Sequence, residues 1–352
     1  MVAIDPTHEG ATPAMNPYTA SATAALLLLT LIPISHSKVW WVRALDFPRL
    51  QLFAMTATLI AVDLVVAFSV GWQGWQGWLV RVAAVGCLVY HAWWITPYTR
   101  LFPLEVKTAA PTDGGDVLRV LVSNVLMSNR NAQALLHLVA THRPHVLVTL
   151  ESDDWWQAQL DTLKADYPFT IQHPLDNRYG MHVYARLPLE DSRVEFLVED
   201  DVPSMHTGIR MPSGLLVQAH FVHPAPPSPT ENDESTERDA ELLTVARRVA
   251  GAAAPVIVTG DLNDVAWSRT TRQFRKLSHL LDPRVGRGMF NTFHAGHWFL
   301  RWPLDHMFHS DHFSLRHICR LPSIGSDHFP LLTELLLNPS AASEQHSLGE
   351  DG

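Results

Sequence analysis

Three apolar runs crowd the first hundred positions: YTASATAALLLLTLIPI at 18–34, LQLFAMTATLIAVDLVVAFSVGW at 50–72 and WLVRVAAVGCLVYHAWWI at 78–95. Crossing the hydrocarbon of a bilayer takes about 20 such residues in a helix, within a range of roughly 17 to 25. The second run is long enough and the others sit near the limit, so residues 1–103 are expected to form a membrane region of about three transmembrane helices. The first run also resembles a signal-peptide core, but no basic residue precedes it and Pro33 closes it without a small-residue cleavage site. A water-soluble helical subdomain is the alternative. Against it stand Trp72, Trp75 and Trp78 in GWQGWQGW and Trp93 and Trp94 at the far end, because tryptophan concentrates at bilayer interfaces. Asp63 and Arg81 fall inside spans, where an isolated charge is costly, and an internal ion pair between them is expected.

Lys38, Arg43 and Arg49 lie between the first two runs, and Arg100 and Lys107 follow the third. The amino terminus and the GWQGWQGW turn carry no Lys or Arg, so the positive-inside rule leans towards a cytoplasmic carboxyl-terminal part of a multi-pass cell-membrane protein. Cys87 lies in a span and Cys319 stands alone, so no disulfide is expected in the soluble part.

Residues 104–116, LEVKTAAPTDGGD, read as a linker, with Pro, Gly, Thr and charge but no periodicity. Beyond it the material changes. DVLRVLVSN at 116–124 is an apolar strand ending in Asn124, NAQALLHLVATHR at 131–143 has helical spacing, and HVLVTLE at 145–151 is a second buried strand ending in a carboxylate. YGMHVYAR at 179–186 and GLLVQAHFVHP at 214–224 follow as strands, the latter carrying His220 and His223. An acidic loop occupies 224–239, and a helix at 240–250 leads into APVIVTGDLNDVAW at 254–267. There, β-branched residues stop at Gly260 and are followed by Asp261, Asn263 and Asp264. Two further Asp-His pairs stand in WPLDHMF at 302–308 and IGSDHFPLLTELLL at 324–337, and the polar tail at 338–352 is expected to be disordered. Strands and helices alternate without a strict βαβ rhythm, which favours a mixed α/β layered sandwich over a Rossmann sheet.

Polar groups thus recur immediately behind apolar runs: Asn124, Glu151, His220, Asp261, Asn263, Asp305, Asp327 and His328. Each alone has a plainer explanation, as a helix cap, a surface carboxylate or a satisfied core histidine. Together they describe a site, since strand ends on one sheet edge converge in space. Oxygen ligands such as Glu151, Asn124 and Asp327 suit a hard cation, Mg²⁺ or Mn²⁺, whereas thiolates and a paired-histidine helix motif for zinc are absent. A histidine beside carboxylates adds proton transfer near neutral pH, and the combination reads as phosphoester hydrolysis.

The segments SNV (123–125), LES (150–152), RYGM (178–181), VQAHFVHP (217–224), GDLND (260–264), LDHMF (304–308) and GSDHFP (325–330) resemble the ordered motifs of the endonuclease/exonuclease/phosphatase family. That family includes pancreatic-type deoxyribonuclease, abasic-site endonucleases, neutral sphingomyelinases and inositol-polyphosphate 5-phosphatases. The resemblance covers residues 117–337 and implies a four-layered α/β sandwich, two packed mixed sheets flanked by helices, with the site at the top of the sheets. It implies Glu151 as the main metal ligand with Asn124 beside it, and Asp327 supporting the metal region. Asp261 would orient or deprotonate the attacking water, Asn263 hold the phosphate, and His328 stabilise transition-state charge. Asp305 would pair with a histidine and His220 would be the second histidine. Tyr179 would contact phosphate or else be a core tyrosine. His306 stands where many relatives carry an aromatic residue, which leaves open whether it joins the site or packs.

From Pro111 onward the chain has 20 Lys plus Arg against 30 Asp plus Glu, a formal balance of −10, which disfavours a duplex nucleic acid as partner. WSRTTRQFRK at 267–276 is a local basic patch, most simply an exposed helix face. HWFLRW at 297–302, aromatic and positive, could lie against a bilayer or pack. The sequence therefore points to a membrane-anchored, metal-dependent phosphoesterase acting on a lipid, a lipid-linked diphosphate or a small molecule. The alternatives are a tethered nuclease and an inactive binding module. Some bacterial family members with three amino-terminal spans resemble this layout and act on lipid-linked diphosphates outside the cell, opposite to the cytoplasmic lean.

Overall fold

The computed structural model describes residues 16–70, 74–110 and 113–338. Trp72 and the tail beyond Asn338 lie outside the described residues. The chain forms two compact units, one of residues up to 37 with 44–96, the other of 38–43 with everything from 97 onward.

Among the described residues, the first hundred positions contain the α-helices α1 (Pro17–Leu31), the short α2 (Trp40–Ala44), α3 (Arg49–Val70) and α4 (Trp75–Ile95). Pro17 sits in the first turn of α1, and the Asn16 side chain caps that turn by accepting from the Tyr18 amide. The spans Pro17–Ser35, Arg49–Ser69 and Trp75–Tyr98 are long and apolar enough to cross a membrane. Their arrangement inverts that of a water-soluble bundle. Leu28, Met55, Val65, Phe68, Leu79, Val82 and Val89 face outward. Polar groups meet inside: Arg81 Nε is 2.7 Å from Asp63 Oδ2, the expected ion pair, and Thr30 Oγ1 is 3.0 Å from His91 Nε2. Burying polar pairs while exposing leucine and valine is favourable only where the surroundings are themselves apolar.

The second unit has the four layers. A six-stranded sheet runs β10 (Phe313–Arg320), β11 (Leu331–Leu337), β1 (Val117–Asn124), β2 (Val146–Leu150), β4 (Met181–Ala185) and β3 (Phe169–His173). A five-stranded sheet runs β5 (Leu189–Glu195), β6 (Ser204–Arg210), β7 (Leu216–Phe221), β8 (Val256–Asp261) and β9 (Asp305–His309). Both are mixed: β1 pairs β2 and β7 pairs β8 in parallel, and the other pairs are antiparallel.

Because successive side chains of a strand point to opposite faces, each central strand feeds two cores. Leu118, Val120 and Val122 of β1 meet Val217, Ala219 and Phe221 of β7 and Ile257 of β8 between the sheets. Leu121 and Leu147 face outward onto α5 (Ala132–His142) and α6 (Asp154–Leu160). Val256 and Val258 face outward onto α7 (Thr236–Val249) and α8 (Arg269–Ser278). Burial on both faces explains why these strands read as continuous apolar runs.

Two segments differ from their sequence reading. The last residues of the acidic loop already belong to α7, which begins at Thr236. The segment at 104–116 is strapped to edge strand β10: Ala109 N donates to Leu315 O and Leu315 N to Lys107 O, with Val106 buried. Its composition is that of a linker, but its free backbone groups complete an otherwise open sheet edge.

Candidate active site

β1, β2 and β8 end on the same edge of the sandwich, and β9 begins there, so Asn124, Glu151, Asp261 and Asp305 come together. Asn124 joins the two sheets. Its Oδ1 accepts from the Leu126 amide, which turns its Nδ2 towards Glu151 Oε1 at 2.8 Å and Asp261 Oδ2 at 3.2 Å.

Gly260 explains the abrupt end of β8. Its φ of 147° suits glycine, and a Cβ there would lie 1.9 Å from Val222 O. This close approach brings the end of β7 against Asp261. Behind it, Asp261 Oδ1 accepts from the Asn263 amide in an Asx turn, with Asn263 at a left-handed φ of 49°. Gly180 serves β2 in the same way, since a Cβ would lie 2.1 Å from Ser152 O. The Ser152 amide donates to Gly180 O directly behind Glu151, itself left-handed at φ 57°.

His328 lies between two carboxylates, with Nδ1 2.7 Å from Asp305 Oδ2 and Nε2 3.3 Å from Asp261 Oδ2. Burial alone would lower its pKa, but the Asp261 and Asp305 charges outweigh that and push it up to about 10. Asp261 is subject to the same burial penalty, yet His328 and His223 hold it below the usual carboxylate range. Burial, with the Asp261 charge, lifts Asp305 above that range despite His328. The site therefore holds a protonated imidazole beside an ionised Asp261 at neutral pH.

Asp261, Asp305 and His328 each place a ligand atom within 4.8 Å of the others and form a candidate metal-holding set. They are already joined by a hydrogen bond between His328 and Asp305 and an ion pair between His328 and Asp261, however, and an imidazole protonated on both nitrogens has no lone pair to give a cation. The better ligand is Glu151. Its Oε2 is buried without a hydrogen-bond partner, and burial raises its pKa, which marks a carboxylate short of positive charge. Asp327 is near enough for its charge to act on both Glu151 and His328.

Three predicted residues lie elsewhere or are otherwise engaged. His220 does not reach this cluster. Ala219 and Phe221 point between the sheets, so His220 points to the outer face, where its Nδ1 is 2.7 Å from Nδ1 of its cross-strand partner His206. His223 takes its place, with Nε2 3.9 Å from Asp261 Oδ2 and its ring 5.4 Å from that of Tyr179. The parity of 217, 219, 221 and 223 was the sequence signal for this. Tyr179 donates its hydroxyl to Glu231 of the acidic loop, and burial together with that bond raises its pKa. Asn263 donates Nδ2 to Pro224 O at 3.0 Å.

His306 packs beneath the site. Arg284 Nη2 lies 2.6 Å from His306 Nδ1, and arginine can only donate, so Nδ1 accepts and Nε2 donates to Asp264 O at 2.9 Å. Arg284 is itself held by both oxygens of Asp282, at 2.9 and 2.8 Å, and reaches Asp305 O at 3.3 Å. This brace joins the Asp261–Asp264 turn to the start of β9. Sequence reasoning missed it, since nothing local links residues 264, 284 and 306.

Beside His328, the Phe293 ring lies 4.9 Å away, and the Ala295 amide donates to Asp327 O. The loop that begins there exposes Trp298 (82%) and Phe299 (52%), so HWFLRW does not pack these two rings.

A structure described as an endonuclease/exonuclease/phosphatase from Beutenbergia cavernae DSM 12333 is similar at a TM-score of 0.51 and 17% identity, over 63% of this chain and 72% of that one. TDP2 of D. rerio, complexed with a single-strand DNA product, gives 0.53 and 16% over 62% and 98%. The human Nocturnin catalytic domain, with a bound sulfate anion, gives 0.52 and 17% over 64% and 97%. At these identities the likeness is one of fold. No curated protein sequence matches the chain. The sequence model described as the endonuclease/exonuclease/phosphatase family matches residues 121–328, more than half of the chain, and the protein belongs to that family.

Proposed function

We propose that this protein is a membrane-anchored, divalent-metal-dependent phosphoesterase that hydrolyses a phosphodiester, phosphomonoester or diphosphate of a lipid or small molecule. One observation carries the reading: buried His328 is hydrogen-bonded to Asp305 and ion-paired with Asp261, beside a carboxylate, Glu151, that has an unpartnered oxygen.

Glu151, with Asp327 nearby, would hold Mg²⁺ or Mn²⁺, while Asn124, expected as a ligand but with its Oδ1 turned to the Leu126 amide, orients Glu151 through Nδ2; the cation would supply charge neutralisation at a phosphate oxygen and at the departing alkoxide. The remaining work falls to the chain. Asp261, kept ionised, orients a water and accepts its proton. His328, kept protonated by Asp305, donates a hydrogen bond to the phosphate as charge develops, and Asn263 and His223 flank the same position. Tyr179 shapes the rim through Glu231.

The acidic balance and the exposed Trp298 and Phe299 support an amphiphilic rather than a polyanionic substrate. The apolar helices support a membrane setting that keeps the site near lipid. A tethered nuclease is the second reading. Exposed Arg269, Arg272 and Lys276 of α8 and the similarity to a TDP2 bound to DNA product favour it.

The test is hydrolysis by the detergent-purified full chain of bis(p-nitrophenyl) phosphate, of phospholipid and prenyl diphosphate micelles, and of single-stranded DNA. Turnover should disappear with chelator and return with Mg²⁺ or Mn²⁺. Turnover unaffected by chelator rejects the metal-dependent mechanism, and cleavage confined to DNA replaces the lipid reading with the nuclease.

A further inference from the structure

Away from the strand ends, the second unit has another cleft, of about 650 Å³, walled by Arg100, Phe102, Leu104, Arg287, Phe290 and Arg316. Three guanidiniums converge on it in a chain of net charge −9. Among the described residues none of the three has a carboxylate partner. Arg287 donates only to neutral oxygens, Pro283 O from Nη1 and Val106 O and Thr108 Oγ1 from Nη2, which leaves its charge unbalanced and its Nε and second Nη1 hydrogens for a ligand. Glu105, the nearest acid in sequence to Arg100, is already engaged by Arg275 and by the Asp282 amide.

Arg316 is the extra residue in the β10 bulge, where pairing shifts between Leu315 and His317. A bulge turns a side chain out of the sheet's alternation, and here the residue is exposed. An arginine on an edge strand also discourages strand addition, but that purpose does not require two further arginines or an apolar rim. The rim consists of Phe102 and Leu104, with Leu101 next to it 90% exposed. Arg100 stands two residues after the last apolar span, Trp75–Tyr98, so this wall belongs to the chain segment leaving that span.

We propose that the cleft binds an anionic phospholipid, its headgroup phosphate held by Arg100, Arg287 and Arg316 and its acyl chains lying along Phe102 and Leu104. Guanidinium forks match phosphate oxygens bidentately, and a basic segment beside a span is attracted to an anionic leaflet. A free inorganic anion would use the arginines but gain nothing from exposed phenylalanine and leucine. The inference rests on the membrane-anchored reading and is independent of turnover.

The test measures the Tm of the full chain in neutral detergent while dihexanoyl phosphatidylglycerol, dihexanoyl phosphatidylcholine or inorganic phosphate is added. Phosphatidylglycerol should give a rise that grows with the logarithm of its concentration and reaches about 5 °C at a hundredfold excess over its Kd, and the other two should give none. The double variant Arg100→Glu with Arg316→Glu, both exposed, should lose the rise while keeping the starting Tm and the hydrolysis of bis(p-nitrophenyl) phosphate. Should that variant misfold, Arg316→Gln alone should weaken lipid binding severalfold. An equal rise with phosphatidylcholine or phosphate, no rise with any of the three, or an unchanged rise in the variants overturns the proposal. A rise that persists in a chain that hydrolyses no phosphoester rejects only the catalytic reading.

Discussion

At the scale of single residues, the site depends on where one proton sits. Two carboxylates flank His328, and the pair fixes its charge. Asp261→Asn removes one of those charges, and with it the proton acceptor of the proposed mechanism, with little change of shape. The rate should fall by about 10²- to 10⁴-fold while circular dichroism and Tm stay near those of the parent; a variant with normal turnover removes Asp261 from the mechanism. His306→Phe tests the brace. It takes one of two acceptors from Arg284 Nη2, which keeps Asp282, and the His306 donor from Asp264 O in a buried setting, so stability should drop by about 1–3 kcal/mol. Because the turn carrying Asp261 loosens as well, kcat should decline more than KM rises, and His306→Asn, which keeps polar atoms at that position, should recover part of the loss. A Tm loss with kcat untouched would reduce His306 to packing alone.

At the scale of elements, α7 carries a charge on its buried face. Glu241 is buried with Oε1 unpartnered, and burial, reinforced by the Glu199 charge, raises its pKa from 4.5 to about 8. The folded chain thus takes up a proton that the unfolded chain releases between these two values. Stability associated with this group therefore falls as pH rises from 4.5 to 8 and stays reduced above it. Glu241→Gln should match the parent at pH 4.5 and exceed it by a few kcal/mol at pH 9, since each tenfold change in proton affinity between the folded and unfolded chain is worth about 1.4 kcal/mol. Melting curves at both pH values measure this, and a difference that does not vary with pH contradicts it. α7 also shows what periodicity conveys. Its apolar stripe of Leu242, Val245, Ala246 and Val249 is legible at helical spacing, whereas the start at Thr236 was hidden in an acidic run that composition assigns to loop.

At the scale of the whole molecule, the first and second units follow opposite rules about which side chains face out. The Asp63–Arg81 pair is the sharpest sign of this. Removing one partner, as in Asp63→Leu, should cost about 3–5 kcal/mol because it takes the carboxylate from buried Arg81, whereas Asp63→Leu combined with Arg81→Leu should recover most of that. Thermal aggregation of the detergent-solubilised chain reads this out; an equal loss in the single and double variants would show that the uncompensated Arg81 charge is not what destabilises.

The sequence by itself determined the mixed α/β class, the elements β1, α5, β2, β4, β7, α7 and β8 in their order, and the two-part character of the chain. Alternation, apolar run length and turn chemistry are set by neighbours within a few residues, so Asn124, Glu151 and Asp261 could be found behind their strands, whereas Asp305 opens β9 and His328 stands in the loop before β11. Only the tertiary structure decided that His223 and not His220 stands beside Asp261, that Tyr179 is engaged by Glu231, and that Arg284 and His306 brace the catalytic turn. These pairings depend on which face of a strand turns inward and which loops meet across two sheets. That is settled by packing between segments tens to hundreds of residues apart, where local patterning carries no information.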